Sequence, residues 1–224
     1  ESFDRGDLGT IRLISYPGFE KPVHTFSAAN ANSGDHAWTY YDDDDDDDDL
    51  CRADIGIGAG WFEEEFREFG YGFPPLGERF AQLEEALELI SALWKAKPIE
   101  SNGRFYDLRG AVCSPQPLGL KLWIGGRGKE KTPRLAARFA DGFNMPYVSP
   151  ELAGDRLQRV RRACDEVGRD FSEIDSSVNL GFYMNSDRKP DIAAEGSRTG
   201  GTQEAIDMIG KFRDVGIKGI NIAF

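Results

Sequence analysis

From Leu50 onward, short apolar runs alternate with amphipathic segments, and this alternation restricts the fold more than any other feature of the chain. The runs are "ADIGIGAG" (53–60), "KLWIG" (121–125), "GFNM" (142–145), "SVNLGFYM" (177–184) and "KGINIAF" (218–224). The segments between them have helical spacing. In 76–97, Leu76, Phe80, Leu83, Leu87, Ile90 and Trp94 step by threes and fours and form one apolar face, with Glu84, Glu85 and Glu88 on the other side. Leu135, Ala136 and Phe139 line the next helix. Thr132 is its predicted N-cap, and Pro133 its first helical residue, where a missing N–H costs nothing. Leu152, Leu157, Val160, Cys164 and Val167 mark a third helix, stopped by Gly168. A fourth carries Ala205, Ile209, Phe212 and Val215 between a Thr202 cap and Gly216. Such alternation implies parallel strands covered by helices, an α/β fold. The stretch 98–120 breaks the repeat and reads as a loop or a small excursion.

Residues 1–50 read differently from 51–224. They hold one plausible strand, "TIRLISY", then a polar, aperiodic stretch and eight consecutive aspartates, Asp42 to Asp49. Adjacent like charges repel and bury nothing, so the run is expected to be solvated and disordered. A calcium loop would alternate carboxylates with turn formers, which this run lacks; a linker or insert fits better. Of the net charge of −12, the run supplies eight. The remaining −4 is ordinary for a soluble enzyme, and no basic stripe with aromatics points to nucleic acid. No run of 18 or more apolar residues suggests a membrane span, and no leader opens the sequence, so a cytoplasmic protein is expected. Cys51, Cys113 and Cys164 form no CxxC, and with only His24 and His36 to join them no metal site is expected.

The stretch with the clearest chemistry is "IGGRGKEKTPR" (124–134). Glycines let backbone N–H groups approach a ligand closely, and the helix that follows offers unpaired N–H groups and the positive end of its dipole. Arg127, Lys129 and Lys131 add positive charge. The stretch reads equally as a phosphate seat and as a tight turn with nothing bound. It is not a Walker loop, because Gly128-Lys129 is followed by Glu130. Nor is "GIGAGW" (56–61) a dinucleotide fingerprint, since Trp61 stands where the third glycine belongs. In a parallel α/β barrel, "GIGAGWFEEEF" (56–66) would lie at the catalytic rim, at the end of a strand. Glu64 is then a weak catalytic candidate, against the simpler reading of an acidic first helical turn. Trp61 packs on a flat ring system or closes the core. Asn144 is a further rim candidate. No G-x-S-x-G elbow is present, and neither histidine has an evident partner.

"IGIGAGWFEEEFREFGYGFPPLGERFAQLEEALELISALW", "LWIGGRGKEKTPRLAARFADGFN" and the closing "GTQEAIDMIGKFRDVGIKGINIAF" together resemble the luciferase-like monooxygenase superfamily, in particular its coenzyme F420-dependent oxidoreductases. The resemblance covers about 51–224. It implies a (β/α)8 TIM barrel holding a deazaflavin at the C-terminal rim, with FMN as the alternative cofactor. It gives phosphate contact to Gly125, Gly126, Arg127 and Gly128, with Thr132 beside them, and the border of the ring system to Ala59, Gly60 and Trp61. It further implies hydride transfer with a small-molecule substrate, and pairing into a homodimer. About five of the eight βα units are recognisable. The first three would precede "DIGIGAG", where only residues 1–50 stand, so the isolated chain is expected to be marginal, partner-dependent or a non-catalytic fragment.

Overall fold

A computed structural model of the chain describes residues 11–14, 54–95, 97–114, 116–117, 119–184 and 198–223. The Asp42–Asp49 run, His24, His36 and Cys51 lie outside the described residues. In chain order the elements are β1 (Ile11–Ile14), β2 (Asp54–Ile57), α1 (Glu63–Glu68), α2 (Leu76–Leu93), β3 (Ile99–Asn102), β4 (Asp107–Ala111) and β5 (Lys121–Gly125). They continue with α3 (Lys131–Phe139), β6 (Gly142–Pro146), α4 (Pro150–Val167), a short 3-10 turn (Phe171–Glu173), β7 (Asp175–Met184), β8 (Arg198–Gly200), α5 (Thr202–Asp214) and β9 (Gly219–Ala223). The chain divides into two compact units, 24–123 and 1–23 with 124–224.

In the unit of 1–23 and 124–224, parallel strands run in the order β1–β9–β7–β6. Strand periodicity sorts their side chains. Phe143 and Met145 of β6, and Val178, Leu180 and Phe182 of β7, are buried apolar residues at alternate positions. The residues between them, Asn144, Ser177 and Asn179, are polar and meet one another on the opposite face. β8 adds to β7, with Phe182 opposite Arg198.

The helices of this unit follow from local signals, with shifts of one or two residues. Ser149 caps α4 by accepting the Leu152 N–H at 3.3 Å, and Pro150 opens it. Gly168 closes it at φ 71°, with the Arg169 N–H reaching back to Cys164 O at 3.0 Å. Leu157, Val160 and Cys164 are buried, as the spacing predicts, together with Ala153, whereas Leu152 is half-buried and Val167, at the last turn, is 50% exposed. α3 starts earlier than the threonine signal implies: Glu130 is the N-cap and Thr132 the second helical residue, with Pro133 still inside the first turn, where its missing N–H is harmless. Likewise Gly201, not Thr202, precedes α5, and its N–H donates to the Glu204 carboxylate at 3.0 Å.

In the unit of 24–123, α2 buries Leu83, Ala86 and Leu87 and ends at Leu93, four residues short of the predicted boundary. The stretch read as a loop or small excursion holds an antiparallel hairpin, β3–β4. Its turn is organised from a distance. The Glu85 carboxylate, placed by sequence on the solvent side of α2, accepts the backbone N–H groups of Arg104, Phe105 and Tyr106 at 2.9–3.2 Å.

Among the described residues no helix is long and apolar enough to cross a membrane, and no cluster of three or more His, Cys, Asp or Glu could hold a metal ion.

Candidate functional site

The turn between β5 and α3 is fixed at three points. Gly126 adopts φ 148°, a region that side-chain-bearing residues avoid, and its N–H donates to the carbonyl of Asn144 in β6 at 3.0 Å. The carbonyl of Arg127 accepts from Nε of Arg156 in α4 at 2.9 Å. Thr132, buried in the first turn of α3, packs under the glycines: a Cβ on Gly126 would meet its Cγ2 at 3.2 Å, and one on Gly128 would collide with its Oγ1. Arg127, Lys129 and Lys131 are exposed, while Gly125, Gly126 and Gly128 are partly exposed rather than covered by side chains. The turn therefore combines accessible backbone, mobile positive charge and the N-terminus of a nine-residue helix.

Beside the turn runs a row of carboxamides. Asn144 Nδ2 donates to Ser177 Oγ at 2.8 Å and to Asn179 Oδ1 at 3.1 Å, and Asn221 Nδ2 donates to the same Asn179 oxygen at 3.0 Å. Three neighbouring strands are thus tied by side chains as well as by backbone. Just past β6, Tyr147 sits at φ 51°, with its N–H on the carbonyl of Asn179 at 2.9 Å. A left-handed tyrosine stores on the order of 1 kcal/mol of strain.

Ala59, Gly60, Trp61 and Glu64 belong to the unit of 24–123. The Ala59 carbonyl accepts from Arg79 Nε at 3.1 Å, while Arg79 Nη1 donates to Pro74 O at 2.6 Å and the guanidinium lies 3.7 Å from the centre of the Phe73 ring. Burial pulls the Arg79 pKa down from its ordinary value, an effect that the Glu63 carboxylate opposes. Gly60 has φ 69°, and a Cβ there would meet the Phe66 ring at 2.5 Å, so backbone conformation and packing both require this glycine. Trp61 is 78% exposed and closes no core, which leaves its ring as open apolar surface beside Phe62. Glu64 is exposed in the first turn of α1, as the helix-dipole reading has it.

Gly125, Gly126, Arg127, Gly128, Thr132 and Asn144 are thus gathered at one place, within one unit. Arg156, Asn179 and Asn221 escape a reading of the sequence. Arg156 stands in an arginine-rich helix, and the two asparagines sit singly in apolar runs, so only strand register brings them together.

The sequence profile of luciferase-like monooxygenases matches residues 51–192. The chain belongs to the luciferase-like monooxygenase family. Among members of the family, it is 32% identical over 143 residues to the F420-dependent glucose-6-phosphate dehydrogenase of Nakamurella multipartita, covering 62% of this chain and 41% of that protein. It is 32% identical over 158 residues to the protein of the same name from Kineococcus radiotolerans, covering 66% and 43%. The chain thus spans well under half the length of these relatives. A solved F420-dependent secondary alcohol dehydrogenase superposes with TM-score 0.65 at 18% identity, over 75% of this chain and 63% of that one. The F420-dependent tetrahydromethanopterin reductase of Methanopyrus kandleri gives 0.63 at 18%, over 77% and 68%. These likenesses establish the fold, a partial (β/α)8 barrel of the luciferase-like type.

Proposed function

We propose that this chain forms part of an F420-dependent oxidoreductase, in which the β5–α3 turn holds the cofactor phosphate while a hydride passes between the deazaflavin and a small organic substrate. The observation that carries this reading is the pinned turn. With the Gly126 N–H engaged by Asn144, the Gly126 contribution is geometric. The donors offered to an anion are the amides of Gly128 and Thr132, reinforced by the exposed Arg127 and Lys129; Pro133 has no N–H, and that of Arg134 already donates to Glu130 O at 3.1 Å. The missing Cβ atoms at Gly126 and Gly128 leave the space that Thr132 occupies. This donor set fits a phosphate group. Asn144 supports the turn from β6, and Ala59, Gly60 and the open ring of Trp61 are the proposed border of the ring system. When bound, F420 supplies a two-electron hydride carrier. The protein's part is to bind, orient and shield its partners. The names of the relatives make glucose 6-phosphate the first substrate to assay. A cytoplasmic homodimer completes the proposal.

FMN also ends in a phosphate, and a solved riboflavin lyase containing modified FMN shares the fold at TM-score 0.52. A non-catalytic cofactor-binding module is the third reading. Titration of the purified chain with F420 and with FMN, followed by absorbance and fluorescence, separates the three. Binding of F420 in preference to FMN, with reduction of F420 by glucose 6-phosphate or another alcohol, supports the first. Preference for FMN supports the second, and binding without turnover the third. If neither compound binds, the phosphate seat is wrong.

A further inference from the structure

Arg156 lies in the middle of α4, 5% exposed, with a neighbouring carboxylate and a backbone carbonyl as its partners. Its Nη1 pairs with Asp155, which also accepts from Arg159 Nε at 2.9 Å. Its Nε donates to the carbonyl of Arg127 at 2.9 Å. A buried guanidinium is costly unless its donors are satisfied, and replacing such a group with apolar packing is often neutral or stabilising. Stability alone is therefore a weak reason for an arginine here. Its geometry supplies a better one.

In a trans peptide the C=O and the following N–H point in opposite directions. Drawing the Arg127 oxygen toward α4 turns the Gly128 N–H to the side away from α4. The Gly125–Gly126 peptide, two before it, is fixed too, by the Gly126 N–H on Asn144 O. Between these anchors the chain needs holding, because glycines at 126 and 128 leave the backbone free to rotate. A flipped Arg127–Gly128 peptide would present a carbonyl oxygen, rather than an N–H, to an approaching anion. The Asp155 carboxylate offsets the charge of Arg156, so the side chain acts through orientation more than through its own field.

We infer that Arg156 is a positioning residue for anion binding, holding the Arg127–Gly128 peptide so that the Gly128 N–H faces a ligand phosphate. This rests on the phosphate seat proposed above. The experiment compares ligands with and without phosphate on the full chain: FMN against riboflavin, and F420 against its phosphate-free deazaflavin chromophore. Affinities are read by fluorescence for the wild type, R156M, R156K and G128V, and folding is checked by thermal melting. Loss of one oriented donor to a charged group corresponds to about a tenfold to hundredfold change. R156M is expected to lose that much affinity for the phosphate-bearing ligands and little for the others. R156K is expected to fall between, because one ammonium cannot hold Asp155 and the Arg127 carbonyl in a fixed fork. A folded R156M with unchanged phosphate preference, alongside a G128V that has lost it, overturns the role of Arg156 and leaves the seat standing. Where R156M does not fold, an unchanged preference in R156K overturns it equally. A wild type with no phosphate preference overturns the seat itself, and this inference with it.

Discussion

The Glu85 carboxylate accepts the backbone N–H of Tyr106 at 2.9 Å and, with the same two oxygens, those of Phe105 and Arg104. One side chain of α2 thus satisfies three amides of the β3–β4 turn. Gly103 is part of the arrangement, since a Cβ there would run into the Glu85 carboxylate. Replacing Glu85 with Ala leaves the three amides to water. The expected cost is about 1–3 kcal/mol, the range for removing hydrogen bonds to a charged group. Urea unfolding of E85A and E85Q measures it. E85Q keeps one acceptor oxygen and is expected to lose less than E85A; no loss in either variant would mean that the hairpin does not depend on these bonds.

At the β5–α3 turn, Gly126→Val meets two obstacles. The φ of 148° is unfavourable to any side chain, and Thr132 Cγ2 stands 3.2 Å from the new Cβ. Relief requires the peptide to rotate, which breaks the bond to Asn144 O. The expected stability loss is about 1–3 kcal/mol. Binding of FMN or F420 should fall at least tenfold in protein that remains folded, as fluorescence titration would detect. Unchanged affinity in a folded G126V would remove this turn from the site.

The order of strands and helices was legible because each rests on local chemistry: Pro150 and Gly168 bracket α4, and the glycines after "LWI" announce the β5–α3 turn. What was not legible depends on residues far apart in sequence. The β3–β4 hairpin reads as a loop because the group that organises its turn, Glu85, lies about twenty positions upstream on a helix. Arg156 shares α4 with Arg159, Arg161 and Arg162, and nothing in their spacing marks one of the four as buried. Thr132 reads as a cap because threonine favours that position, yet it is the second helical residue, and its hydroxyl and methyl fill the space beneath Gly126 and Gly128. Asn179 and Asn221 become a pair only once β7 and β9 are in register.

That pair suggests a comparison of two substitutions. Asn179 Oδ1 receives donors from both Asn144 and Asn221. Asn179→Asp keeps an acceptor for both, whereas Asn179→Leu removes it from both, leaving Asn144 its bond to Ser177 Oγ. N179L is expected to lose about 1–2 kcal/mol, a melting-point fall of about 2–8 °C, while N179D loses a smaller amount. Differential scanning calorimetry gives both values. N179D as damaging as N179L would mean that volume, not the shared acceptor, sets the cost.

Cys164, fully buried on α4, carries a testable pH dependence. Burial pushes its thiol pKa up, and the carboxylates of Asp165, Glu173 and Asp170 add to this, while Arg169 opposes it. In the unfolded chain a thiol ionises near pH 8.5. Because the folded pKa is the higher, the thiol's contribution to stability is fully present below about pH 8.5 and is lost as pH rises through the folded value. Above that point, ionisation draws the protein toward the unfolded state. Urea midpoints of the wild type and C164A at pH 7.5 and pH 10 test this: the wild type's advantage should shrink at the higher pH, because alanine has no proton to lose. The same burial should shield Cys164 from iodoacetamide in the native protein at pH 8, while the half-buried Cys113 reacts, as peptide mass spectrometry can show. A gap between wild type and C164A that is the same at both pH values, together with rapid labelling of Cys164, would show that α4 opens readily and that its inner face is not the sealed core it forms in the folded chain.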